Sequence, residues 1–155
     1  VEGESKWYVY GLVTGINKTT LEDKYIDVSG DGHAEIIVLN ENYGEKTGTG
    51  TIINVYDDVT GKIVETFRVI IFGDLNGDAR VDATDDSMIS DEIMGVTSWS
   101  YQTSPEYIDY RKKAANLTAI SSGDNRVDVT DGTCFNAHVL GSARIVQTDG
   151  SMIYA

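Results

Sequence analysis

Asp74-Leu75-Asn76-Gly77-Asp78-Ala79-Arg80-Val81-Asp82-Ala83-Thr84-Asp85 carries oxygen-bearing side chains at its first, third, fifth, ninth and twelfth places. Its last nine residues, Gly77 to Asp85, return 46 positions later as Gly123 to Asp131 without a gap, and seven of the nine pairs are identical. A chance cluster of solvated acids does not repeat in this way. The likeness continues in kind beyond each loop: Met88 matches Cys134, Ile89 matches Phe135, Ile93 matches Val139, Met94 matches Leu140, and Gly95 matches Gly141. Spacings of three to five residues put these apolar side chains on one helical face, and the glycine suits a helix C-terminus. Each copy reads as an acidic loop feeding a short helix.

Alternate residues of a tight loop can aim carboxylate and amide oxygens at one point, which is the chemistry calcium needs, because this hard cation takes six to eight oxygen ligands. The spacing is that of an EF-hand calcium loop. Asp74, Asn76 and Asp78 would bind directly, Arg80 through its carbonyl, Asp82 directly or through water, and Asp85 with both carboxylate oxygens. Ala79 occupies the place where such loops use glycine at positive φ, and a Cβ there costs about 1 kcal/mol. In the second copy the ungapped register offers Ser122, Asp124, the Arg126 carbonyl, Asp128 and Asp131, but puts Ile120 where an aspartate belongs. A gapped register makes Asn116 and Thr118 the first ligands and Ala119 to Ser122 an insertion; both registers stay open at this point.

Upstream the text changes character. Trp7 to Tyr10, Ile36 to Leu39, Thr51 to Tyr56 and Thr66 to Phe72 are rich in β-formers and predict four strands. Thr19 to Tyr25 predicts a short helix. Asp27 to His33 imitates the start of another calcium loop, but its closing position falls on Val38 within an apolar run, so it reads as a hairpin turn. The expected fold class is α+β, with a small β-rich module over 1–72 abutting an all-α module over 73–155 that holds both loop-helix repeats. No Gly, Ser or Pro linker separates them. Ser104-Pro105-Glu106 opens a further helix in the stretch between the repeats.

The balance of 25 acidic against 12 basic residues gives a formal charge of -13, which opposes nucleic acid and anionic membrane surfaces. No apolar run approaches the ~18 residues that a membrane span needs. Cys134 is the only cysteine and reads as a buried apolar residue, so neither a disulfide nor a thiolate metal cluster can form within the chain. His33 and His138 stand apart from any nucleophile or acid at triad spacing. No catalytic residues are expected.

The duplicated loop and helix, opened by Phe72-Gly73-Asp74-Leu75-Asn76-Gly77-Asp78, resembles a dockerin from Gly73 to about Leu140. The arrangement upstream is similar to the β-rich X modules that precede some dockerins. The resemblance implies two calcium ions that fold the module, and helices that dock onto a cohesin of another protein in extracellular, cellulosome-type complexes of bacteria. It implies cohesin contacts at Ala83, Thr84, Ser90 and Asp91 in the first copy and at Val129, Thr130, Asn136 and Ala137 in the second. The two sets differ in polarity, so one preferred orientation on the partner is expected, with the chain a monomer before docking. The alternative expectation is a surface module that calcium only stabilises, with no cohesin partner.

Overall fold

A computed structural model describes residues 7–39, 44–96, 105–117 and 126–155, the side chains of 105–109 excepted. Four strands, Trp7–Val9 (β1), Gly32–Ile37 (β2), Ile52–Asp57 (β3) and Lys62–Val69 (β4), form one sheet in the order β1-β4-β3-β2. β1 runs parallel to β4 and the other pairs are antiparallel, with a bulge at Val55/Tyr56. Helix α1 (Lys18–Tyr25) begins at Asn17, whose side chain accepts from Thr20 N–H, and buries Leu21. β2 starts at Gly32, four residues before the apolar run that announced it. Its first residues alternate polar and small, yet His33 pairs with Tyr56 and their rings stack at 5.0 Å. The turn at Gly30 therefore joins α1 to β2 and is not a hairpin between strands.

Helices α2 (Ala83–Ile93), α3 (Pro105–Ala115) and α4 (Val129–Val139) form the second half. α2 and α4 end alike: Gly95 and Gly141 take φ of 70° and 74°, while Val96 N–H bonds to Asp91 C=O and Ser142 N–H to Ala137 C=O. This six-to-one closure is available because glycine enters the left-handed region without a Cβ clash. Ile89 and Phe135, matched in the repeat, are both fully buried. Met94 and Leu140, expected on the same apolar face, are instead exposed. Each is the C-cap residue, beyond the last turn that faces the core.

The second half is not all-α. After α4 the chain makes a hairpin of Ala143–Ile145 (β5) and Met152–Tyr154 (β6), turned near Gly150, and Ile145 enters the helical core. Three-residue strands are too short to announce themselves by alternation.

Two cores meet in one extended segment. Val69 and Ile71 join Leu12, Leu21, Ile36 and Ile53, whereas Ile70 and Phe72 join Leu75, Ile89, Tyr110, Leu117, Phe135 and Ile145. Successive side chains of an extended chain point to opposite sides, so four residues serve both cores. Other contacts cross the same seam: Gln147 exchanges two hydrogen bonds with the Phe72 backbone, and Arg68 bonds Gly50 C=O while its guanidinium lies 5.3 Å from the Tyr110 ring. The expected junction at 72/73 falls at the end of this shared segment.

Candidate metal centre

The extended strand delivers Asp74 to the start of a loop that winds back on itself. Asp74 is fully buried, and both carboxylate oxygens accept backbone N–H groups: Oδ1 from Gly77 at 2.8 Å and Asp78 at 3.2 Å, Oδ2 from Ala79 at 3.0 Å and Thr49 at 2.9 Å. Asp78 N–H also donates to Asn76 Oδ1, and Arg80 N–H to Asp78 Oδ1. The loop closes on Asp85, also fully buried, which accepts from Leu75 at 2.7 Å, Asn76 at 3.3 Å and Asp82 at 2.9 Å. Asp82 in turn caps α2 by accepting from Thr84 N–H, completing a capping box.

Ala79 has φ of 66° and is the one non-glycine residue at positive φ among those described. This is the conformation expected of the sixth loop place. Its Cβ is nevertheless buried. Ala79→Gly removes strain of about 1 kcal/mol but also a buried methyl and a restraint on the unfolded chain, each of similar size. The net change in unfolding free energy should stay within about 1 kcal/mol, while Ala79→Val, with a β-branched side chain at the same φ, should cost about 3 kcal/mol or more. Denaturant melts of the two variants check both values.

Burial raises the Asp74 carboxyl to about 7, against the lowering N–H contacts of Thr49, Gly77 and Ala79, and the nearby Asp85 pushes it upward too. Burial likewise raises Asp85 to about 6. Arg111 on α3 is buried too, and desolvation lowers its guanidinium to about 10, although the Asp85 and Glu92 charges oppose that shift. The loop thus holds buried carboxylates that are costly to ionise without a cation.

The second copy repeats the clasp. Leu117 N–H donates to Asp131 Oδ1 at 2.8 Å, Asp128 N–H to Asp131 Oδ2 at 2.8 Å, and Thr130 N–H to Asp128 Oδ1 at 2.8 Å. The backbone of the two cap residues agrees closely, with φ and ψ of -144° and -169° at Asp82 against -143° and -170° at Asp128. Leu117 therefore stands where Leu75 stands, and Asn116, buried, where Asp74 stands. The Leu75–Asp85 bond spans 10 residues and the Leu117–Asp131 bond 14, so the second loop is longer by the length of the proposed insertion. This spacing fits the gapped register, in which Ser122 belongs to the insertion. Thr118, Ser122 and Asp124 lie outside the described residues. The ungapped nine-residue match concealed the register because the insertion precedes it.

Asp74, Asn76, Asp78, Asp82, Asp85 and the Arg80 carbonyl supply only hard oxygen donors, and Ala79 adopts the turn that such a loop requires. Among the described residues, no group of three or more His, Cys, Asp or Glu side chains forms a ready-made metal cluster. The Asp74 and Asp85 carboxylates face backbone N–H groups instead, and two further donors of the loop are an amide and a main-chain carbonyl. The longest contact of Asp74 Oδ1 is to Asp78 N–H, which has a second acceptor in Asn76.

Of the expected partner-contact residues, Ala83, Thr84, Val129, Thr130 and Asn136 are exposed, while Ser90, Asp91 and Ala137 are half-buried. Ser90, Val129 and Asn136 line a groove of 390 Å³ between α2 and α4, together with Asp86, Ile93, Met94, Gly132 and Thr133. Cys134 is buried in the helical core. No helix among the described residues is long and apolar enough to cross a membrane. No family model matches the chain, and neither a curated protein nor a solved structure matches it.

Proposed function

We propose that the chain is a non-catalytic, calcium-dependent docking module of the X-module and dockerin type, which binds a cohesin and anchors an extracellular, cellulosome-type complex for polysaccharide degradation. The observation that carries this reading is the duplicated clasp, Leu75–Asp85 and Leu117–Asp131, which fixes the starts of α2 and α4 beside an exposed groove. Two calcium ions would be held, the first by Asp74, Asn76, Asp78, Asp82, Asp85 and the Arg80 carbonyl. The second would be held by Asn116, Thr118, Asp124, Asp128, Asp131 and the Arg126 carbonyl. The ions would neutralise buried carboxylates, so that metal binding and folding are coupled.

Met94 and Val129, which line the groove, expose 67% and 68% of their surface. Apolar side chains gathered at the end of one helix and the start of its neighbour form a patch suited to a partner, since single exposed apolar residues are ordinary but clusters are less so. Holding both helices by calcium lowers the ordering cost of association.

Calorimetry of the chain against a panel of cohesins, with calcium and with chelator, tests the reading. Binding that needs calcium, is lost in the Asp74→Ala and Asp85→Ala double variant, and weakens about 30-fold or more in a Val129→Glu variant that still takes up calcium would support it; a central contact is worth about 2 kcal/mol or more. Calcium uptake with no cohesin captured would leave a calcium-stabilised surface module. No calcium uptake would overturn the reading.

A further inference from the structure

The first metal loop does not stand alone. The segment Thr47-Gly48-Thr49-Gly50-Thr51, which belongs to the β-rich half, is buried along its whole length and lies against the loop. Gly48 of the segment and Gly77 of the loop mark a backbone-to-backbone approach. A Cβ on Gly48 would stand 2.1 Å from Gly77 O and 2.9 Å from Ala79 N, and a Cβ on Gly77 would stand 2.8 Å from Thr49 O. No side chain intervenes at that seam. The approach brings Thr49 N–H to Asp74 Oδ2 at 2.9 Å, beside the Ala79 N–H donated to the same oxygen from within the loop.

Thr49 is itself fixed from the other side. Its Oγ1 donates to Ile71 C=O and accepts from Ile71 N–H, each at 3.0 Å, while Gly50 N–H bonds Val69 C=O and Val69 N–H bonds Thr51 C=O. The threonine hydroxyl thus completes a short strand-like pairing with the residues that lead directly into Asp74. A hydrogen bond from a fixed outer donor orients a ligating carboxylate and lowers the cost of ionising it. In the second copy, Leu117 and Asp128 N–H groups donate to Asp131.

We infer that the first calcium site is a composite of both halves of the chain, with Thr49 a positioning residue for Asp74 and Gly48 the contact that lets it reach. The inference rests on the calcium reading given above. By linkage, whatever the β-rich half contributes to calcium affinity at this site, calcium returns to the stability of the 47–51 segment.

Calcium titration of the full chain by calorimetry, with amide exchange followed by NMR, tests this. In the wild type, calcium should slow exchange of the Thr49 amide at least 10-fold, a residue 25 positions away in sequence from the ligand it serves. Gly48→Ala should weaken one calcium site about 10-fold or more, a loss of about 1.4 kcal/mol or more at that site, and leave the other within about 2-fold. Leu21→Ala, in the sheet core away from the loop, should lower the melting temperature while leaving both affinities within about 2-fold. Two unaltered sites in a folded Gly48→Ala chain, or a Thr49 amide whose exchange ignores calcium, would overturn the inference with the calcium reading intact. A wild-type chain that binds no calcium would instead sink the reading beneath it. Should Gly48→Ala not fold, the exchange measurement on the wild type decides alone.

Discussion

Asp85→Ala is expected to lose calcium at the first loop and to destabilise the chain by about 3–5 kcal/mol even with chelator present at pH 5, where metal is not the issue. The side chain accepts three backbone N–H groups, from Leu75, Asn76 and Asp82. Leaving a buried donor without a partner costs about 1–3 kcal/mol, and Leu75 N–H lies in a fully buried residue. The N-terminus of α2 also loses half of its capping box, and truncation leaves a cavity next to the helical core. Asp23→Ala, on the exposed face of α1, is the control and should stay within about 0.5 kcal/mol. Urea melts of both variants, with and without calcium, separate the two contributions. An Asp85→Ala chain as stable as wild type in chelator would mean that the clasp contributes little and that the loop is held by its surroundings.

The repeat was legible because it is written twice. Seven matched residues out of nine, followed by apolar positions at helical spacing, led to α2 and α4 and to the glycines that end both helices, while the capping role of Asp82 and Asp128 came only from the structure. The left-handed turn at Ala79 was also legible, since the loop's spacing puts Ala79 at the place where an EF-hand-like pattern calls for positive φ. Three features were hidden for physical reasons. Asn116 as the counterpart of Asp74 could not be chosen from the text, because an insertion shifts the first half of the second loop and only the Leu117–Asp131 bond resolves it. The β5–β6 hairpin escaped because three-residue strands carry almost no period. Thr49 escaped because its contribution to Asp74 is a backbone N–H, which no residue type announces; the close-set glycines at 48 and 50 were the available signal. The role of 69–72 in two cores is likewise a property of an extended chain between layers, visible in sequence only as an unbroken apolar run.

Acidity provides the second large effect, and its sign differs with and without calcium. In the metal-free chain burial raises the Asp74 carboxyl from 3.8 to about 7 and Asp85 from 3.8 to about 6. The folded state then holds protons that the unfolded chain releases, so this contribution is fully present below about pH 4 and is lost as pH rises through 6 and 7. For Asp74 the loss is on the order of 4 kcal/mol and for Asp85 on the order of 3 kcal/mol. Calcium ligation needs both groups ionised and adds the binding free energy to the folded state alone. The increment in melting temperature that calcium produces should therefore grow steeply from pH 5 to pH 7.5, by about 10 °C or more for a chain of this length. General repulsion in a chain of formal charge -13 shifts the loaded and chelated melts together and leaves their difference nearly unchanged. Thermal melts at both pH values, with calcium and with chelator, measure that difference. A calcium increment equal at pH 5 and pH 7.5 would show that the buried aspartates are ionised at no cost before the metal arrives, and the coupling of metal binding to folding would then need another source.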